Sequence, residues 1–178
     1  MTVLYRPNMP ISPLAQVKGI EVHRGPSKVL EGASVNLGAG EVVSVMGDNG
    51  SGKTTLIEAF AGILPLRSGE VIWHERGESI LVRDSDGRRN PPPPMGLTLQ
   101  KGGISGEETV SERLAVSLSV AGIHSHEEQI ADLLGHWGLR HRSEERVANL
   151  SGGLRRRLSI LCGLAPAALS QSPRVVLL

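Results

Sequence analysis

Short apolar, β-branched runs alternate with stretches of helical period along this chain. Residues 20–23 and 29–37 read as its first strands, the second ending at the turn Gly38-Ala39-Gly40. Residues 41–46, Glu-Val-Val-Ser-Val-Met, are expected to form a strand buried on both faces. A glycine-rich loop follows directly. Helical composition then runs over 53–61 to Gly62, with Leu56, Ala59 and Phe60 as its apolar stripe. Residues 69–73 and 79–82 read as a strand pair, and 95–100 as a further short apolar strand. Two capping boxes announce helices: Thr109 with Glu112, and Ser125 with Glu128. Val110, Leu114 and Leu118 form the stripe of the first; Ile130, Leu133, Leu134 and Trp137 form that of the second, which Gly138 stops. Ser151 precedes a third helix, with Leu154, Leu158, Leu161 and Leu164 roughly on one face and Pro166 expected to weaken it beyond that point. Residues 173–178 read as a buried parallel strand.

Strands alternating with helices predict an α/β fold with a largely parallel sheet. Two stretches stand apart. Residues 1–19 hold a Pro-rich segment without clear period and read as a loose leader. Residues 83–94 run from Asp84-Ser85-Asp86-Gly87-Arg88-Arg89 into four prolines, an exposed loop with a stiff polyproline end. It is either a recognition peptide or a lengthened hairpin loop, and loop statistics favour the second.

Composition narrows the functions. At 178 residues, 39% hydrophobic and 21% charged, the chain is long enough for a real core and reads as globular. A net charge of +1 supplies no general field for nucleic acid or an acidic membrane. Tyr5, Phe60, Trp73 and Trp137 are too few rings for a base-stacking surface. Nucleic acid is therefore not an expected partner. Cys162 stands alone, which excludes an internal disulfide and a thiolate metal cluster, and it reads as a small buried hydrophobe. His124-x-His126 reads as a solvated loop rather than a metal site. No apolar run reaches the roughly 18 residues of a membrane span. Tyr5, Arg6, Pro7, Asn8 and Pro10 interrupt any signal core, so a cytoplasmic location is expected.

The chemistry concentrates on Gly47-Asp48-Asn49-Gly50-Ser51-Gly52-Lys53-Thr54, which meets Gly-x-x-x-x-Gly-Lys-Thr between a strand and a helix. Gly47, Gly50 and Gly52 permit a tight loop around a phosphate. Backbone N–H groups then form an anion nest, and the helix start adds its positive end. Lys53 reaches β- and γ-phosphates, Thr54 is placed to hold magnesium, and Thr55 can donate to an α-phosphate oxygen. The pattern specifies phosphate binding, with ATP and magnesium as the expected ligands. By itself it does not choose among kinases, GTPases and transport ATPases.

Leu150-Ser151-Gly152-Gly153, about a hundred residues after Lys53, resembles the signature of ABC-type ATPases, with Leu154 in place of the usual glutamine. Arg155-Arg156-Arg157-Leu158 resembles the family's basic continuation. Ser151 and two glycines open a helix whose exposed N–H groups can address a second anion. The resemblance makes that anion the γ-phosphate held by an opposite protomer, so that a homo- or heterodimer forms two composite sites. Further positions agree. The run 97–100 resembles the strand and glutamine of the Q-loop, which makes Gln100 the sensor of magnesium and attacking water. The run 109–118 resembles the family's Thr-Val-x-Glu-Asn-Leu segment, with Arg113 in the asparagine position. The run 66–71 resembles the strand after the first helix. The resemblance covers residues 20–178 and implies a P-loop NTPase fold with a mostly parallel core sheet, a small antiparallel β-subdomain and a helical subdomain. It assigns 20–102 to the ATP-binding core with its inserted loop at 83–94, 103–165 to the helical subdomain, and 173–178 to the start of the Walker B strand.

The aromatic that usually stacks on adenine falls near His23 or Arg24; Arg24 offers a guanidinium plane instead. Arg24-Gly25, with Gly-Glu-Val-Ile-Trp at 69–73, faintly resembles haem-export ATPases of cytochrome c biogenesis. The Asp and Glu that follow the Walker B strand in the family, and its switch histidine, are not among these residues, so ATP binding with poor hydrolysis is the expectation for this chain. The resemblance implies an ATPase subunit whose helical subdomain receives a separate membrane permease, at the inner face of the membrane. Two other readings stay open: a truncated, hydrolysis-deficient nucleotide-binding fragment, and a non-transport ABC ATPase of DNA repair or translation.

Overall fold

The computed structural model describes residues 2–4, 13–98, 106–124, 127–172 and 174–178, which form two compact units, 1–93 and 94–178. The short strand near residue 96 lies in the second of these units.

In the first unit, β2 (Pro13–Arg24), β3 (Ser27–Gly38), β5 (Ser68–Glu75) and β6 (Glu78–Asp84) form an antiparallel sheet of order β3-β2-β5-β6. Residues 13–19, expected in the leader, instead make the first half of β2. Their Ala15 and Val17 are fully buried, as are Ile20 and Val22. Strict alternation from Ala15 and Val17 would turn Ile20 and Val22 outward; a bulge at Lys18 and Gly19 restores the phase. Gly19 takes φ +56°, its N–H donates to Ser34 Oγ at 2.9 Å, and its carbonyl accepts from Ser68 Oγ at 3.1 Å. Gly69 closes on the bulge so tightly that a Cβ would lie 2.3 Å from the Lys18 carbonyl oxygen.

Helix α1 (Lys53–Phe60) buries Thr55, Leu56, Ala59 and Phe60, the expected stripe with Thr55 added. Trp73 of β5 donates its indole N–H to the Phe60 carbonyl at 3.0 Å, and its ring meets Phe60 edge-on. Beyond β6 the 83–94 segment folds back as a loop: Asn90 bonds the carbonyls of Val82 (3.0 Å) and Leu81 (2.7 Å), and Asp84 accepts from the Arg88 N–H.

One strand differs from its expectation. Strand β4 (Ser44–Met46) is not buried on both faces: Ser44 and Met46 are exposed, and Val42 before it is 87% exposed. Among the described residues it pairs with β1 (Thr2–Leu4), antiparallel, and its alternate residues stay open to solvent. The β-branched run fixed the strand but not its neighbours.

In the second unit, β7 (Gly96–Leu97) and β8 (Val176–Leu177) pair in parallel, as expected for the chain's final strand. The remaining strand pairings among the described residues are antiparallel. Helices α2 (Val110–Val120), α3 (Glu127–His136) and α4 (Gly152–Ala168) enclose a core of Val110, Leu114, Leu118, Leu134, Leu139, Leu158, Leu161 and their neighbours. Thr109 accepts from the Glu112 N–H and Glu112 accepts from the Thr109 N–H, the reciprocal box the sequence announced. The matching box at Ser125 lies outside the described residues. Gly138 takes φ +67° just past α3. Pro166 does not end α4, which runs two residues further with Pro166 buried. Its inward face is Leu158, Leu161, Cys162 and Ala165, with Leu154 and Leu164 half-buried at the edges. Glycines let α4 approach β7: a Cβ on Gly96 would overlap the Gly163 carbonyl, and Thr98 Oγ1 donates to the Ser159 carbonyl at 3.1 Å.

Candidate functional site

The loop between β4 and α1 is shaped by its glycines. Gly50 and Gly52 take φ of +85° and +94°, and the Ser51 N–H closes a turn onto the Asp48 carbonyl at 3.1 Å. Gly47, Asp48, Asn49 and Gly50 are exposed. Gly52 is buried, and a Cβ there would lie 2.9 Å from Leu30 Cδ2 and 3.2 Å from Val29 Cγ1. Glycine is thus required twice at Gly52, for its backbone angle and for contact with β3.

Three observations fit this loop to an anion. Helix α1 has no side-chain cap hydrogen bond and no acidic residue in its first turn, so neither of these devices offsets its positive end. Ser51 Oγ is buried without a hydrogen-bond partner among the described residues. Lys53 Nζ donates to the Gly47 and Asp48 carbonyls, each at 2.7 Å, which holds a cation directly over the loop. Thr54 is half-buried and Thr55 is 7% exposed. The residues 47–55 named from sequence are therefore contiguous in space as well.

Arg24, at the end of β2, forms a short ion pair with Glu58 of α1, a contact nothing in the local sequence indicates. Beside it, His23 Nε2 meets Glu21 Oε1 at 2.6 Å, and this hydrogen bond, with help from Lys28, holds the Glu21 carboxyl below its ordinary value.

The second predicted segment lies in the second unit. Ser151 is the N-cap of α4, its Oγ accepting from the Leu154 N–H at 3.3 Å. Gly152 and Gly153 are exposed, have nothing within 4 Å of an added Cβ, and are not among the positive-φ glycines. Neither backbone angle nor packing demands glycine there. Arg155 Nη2 donates to the carbonyls of Ala148 (3.0 Å) and Leu150 (3.3 Å), and Arg157 Nη1 donates to that of Trp137 (3.3 Å). The sequence marked these arginines only as a basic run. Gln100 lies outside the described residues, as does His126. No group of three or more His, Cys, Asp or Glu side chains capable of holding a metal occurs among the described residues. No helix of the described residues is long and apolar enough to cross a membrane.

The model of the ABC transporter family matches residues 30–178, which takes in both glycine segments. This chain belongs to the ABC transporter family. Its relatives include the methionine import ATP-binding protein MetN of Brucella abortus (strain 2308), 29% identical over 92% of this chain and 45% of that protein. The cytochrome c biogenesis ATP-binding export protein CcmA of Nitrosomonas europaea is 34% identical over 80% of this chain and 64% of that protein. The chain thus spans less than half the length of MetN and under two thirds of CcmA. A solved ATP-binding subunit of an ABC transporter superposes with a TM-score of 0.72 at 24% identity, over 86% of this chain and 62% of that one, which establishes the cassette fold.

Proposed function

We propose that this chain binds Mg-ATP on residues 47–55 as part of an ABC transporter ATPase subunit, coupling ATP binding and hydrolysis to transport by a separate permease. The observation that carries the reading is the loop itself: an uncapped helix start, left-handed glycines and a lysine held over it. The family match of residues 30–178 supports it independently.

In this reading Lys53 exchanges the Gly47 and Asp48 carbonyls for β- and γ-phosphate oxygens. The backbone N–H groups of 47–55 carry the remaining negative charge, and Thr55 donates to the α-phosphate. The Thr54 hydroxyl and the Gln100 side chain would hold magnesium, which when bound neutralises charge on the phosphate oxygens. Glu58 fixes the guanidinium of Arg24, whose plane serves the base. Ser151, Gly152 and Gly153 address the γ-phosphate of a second protomer. Two exposed glycines that the fold does not require are what a close approach to that anion needs. Such a dimer would sit at the cytoplasmic face of the membrane through its permease, with residues 20–102, joined by the strand residues 13–19, as ATP-binding core and 103–165 as helical subdomain.

Relatives of similar identity carry the names of methionine import and cytochrome c biogenesis export proteins, so cargo choice is assigned to the permease. The haem-export variant gains no support from them.

Equilibrium titration with a fluorescent ATP analogue and magnesium tests the reading. Losing the charge-assisted contacts of Lys53 costs about 1.5–3 kcal/mol, so Lys53→Ala should bind roughly 10–150-fold more weakly. Its melting temperature should stay near that of the parent, because both carbonyls it leaves are on an exposed loop. Affinity within twofold of the parent would discard the assignment.

A further inference from the structure

We infer that Arg155 is a positioning residue for the Ser151-Gly152-Gly153 anion site, acting through the turn that precedes it; this rests on the composite-site reading above. Arg155 lies in the first turn of α4, where a cation opposes the helix dipole. Its placement therefore has another cause. Its Nη2 reaches back to two carbonyl oxygens, Ala148 at 3.0 Å and Leu150 at 3.3 Å. These belong to the 3-10 turn Val147–Asn149 and to Leu150, the residue that immediately precedes the N-cap.

Two consequences follow. The guanidinium ties the backbone on both sides of Asn149 to α4, which sets the direction from which Ser151 enters the helix. It also covers two carbonyl oxygens beside exposed N–H groups. Bare oxygens there would repel an approaching phosphate; covered by a cation they do not. Leu150, buried at 4% exposure, anchors the same turn in the helical core. Arg156, the next residue, is exposed and serves as the control.

The test uses the full-length protein and compares Arg155→Met, Arg155→Lys and Arg156→Met. Two constants are measured for each: binding of a non-hydrolysable ATP analogue with magnesium to the dilute monomer, and analogue-driven dimerisation by analytical ultracentrifugation. Arg155→Met should leave the monomer constant within twofold and weaken dimerisation at least tenfold. Arg155→Lys, which keeps the charge and N–H donors, should recover part of that loss, and Arg156→Met should match the parent. Thermal melts report folding separately: a purely structural role would lower the melting temperature while folded protein dimerised normally. Dimerisation of Arg155→Met within twofold of the parent overturns the inference, as does an equal loss in Arg156→Met. A parent protein that binds the analogue but never dimerises overturns the composite-site reading, and the inference with it, while leaving the Lys53 assignment intact.

Discussion

Replacing Gly52 by alanine separates two demands that the phosphate loop makes on one residue. The first is conformational: at φ +94° an L-residue pays roughly 1–2 kcal/mol for the left-handed region. The second is steric. The new Cβ would lie 2.9 Å from Leu30 Cδ2 and 3.2 Å from both Val29 Cγ1 and the Val29 carbonyl oxygen, an overpacking worth about 1–3 kcal/mol. Gly50, at φ +85° with open space around its Cβ, carries only the first demand. Gly52→Ala should therefore cost about 2–5 kcal/mol and Gly50→Ala about 1–2 kcal/mol. Trp73, 1% exposed in the core beneath α1, reports the first unit by fluorescence in a Trp137→Phe background. With a urea m value of about 2 kcal/mol/M, the midpoint should fall by roughly 1–2.5 M for Gly52→Ala and roughly 0.5–1 M for Gly50→Ala. Equal shifts for the two variants would mean that contact with β3 contributes nothing. A shift below about 0.5 kcal/mol at Gly52 would refute both demands.

Two further outcomes follow from the second unit. Thr109→Ala removes the cap of α2 and should cost about 1 kcal/mol by urea unfolding. Hydrogen bonding from Thr109, its backbone N–H foremost, holds the Glu112 carboxyl below its ordinary value, so its stabilisation is present above the unfolded carboxylate range and is lost as pH falls through the lowered folded value. Glu112→Gln should flatten that acid limb of the stability profile, and an unchanged limb would remove Glu112 from it. Burial pushes the Cys162 thiol up, so a thiol-specific disulfide reagent at pH 8 should react slowly with native protein and rapidly in urea. Rapid reaction of folded protein would contradict its 8% exposure.

Much of the candidate site's local geometry was legible because its signals are local. The glycines and Lys53-Thr54 specify a loop and a helix start within a few residues of one another, and Thr109 with Glu112 closes a box across one turn. The Arg24–Glu58 pair was not legible, since it joins residues 34 positions apart across β2 and α1. Arg155 was marked as basic, but its partners Ala148 and Leu150 are backbone carbonyls, which no side-chain pattern reveals.

By itself the sequence determined the glycine loop and helix start at 47–55 and which family the chain resembles, because backbone angles, caps and charge at a loop depend on the residues in it. It also determined the strand at 44–46, because β-branched residues favour extended backbone wherever they lie. Tertiary structure decided the rest. It set the partner of that strand, the bulge at Gly19 that keeps Ile20 and Val22 inward, and the carbonyls that engage Lys53 and Arg155. Each of these depends on which distant backbone arrives alongside, and hydrogen-bonding groups choose among neighbours only once packing has brought them within reach.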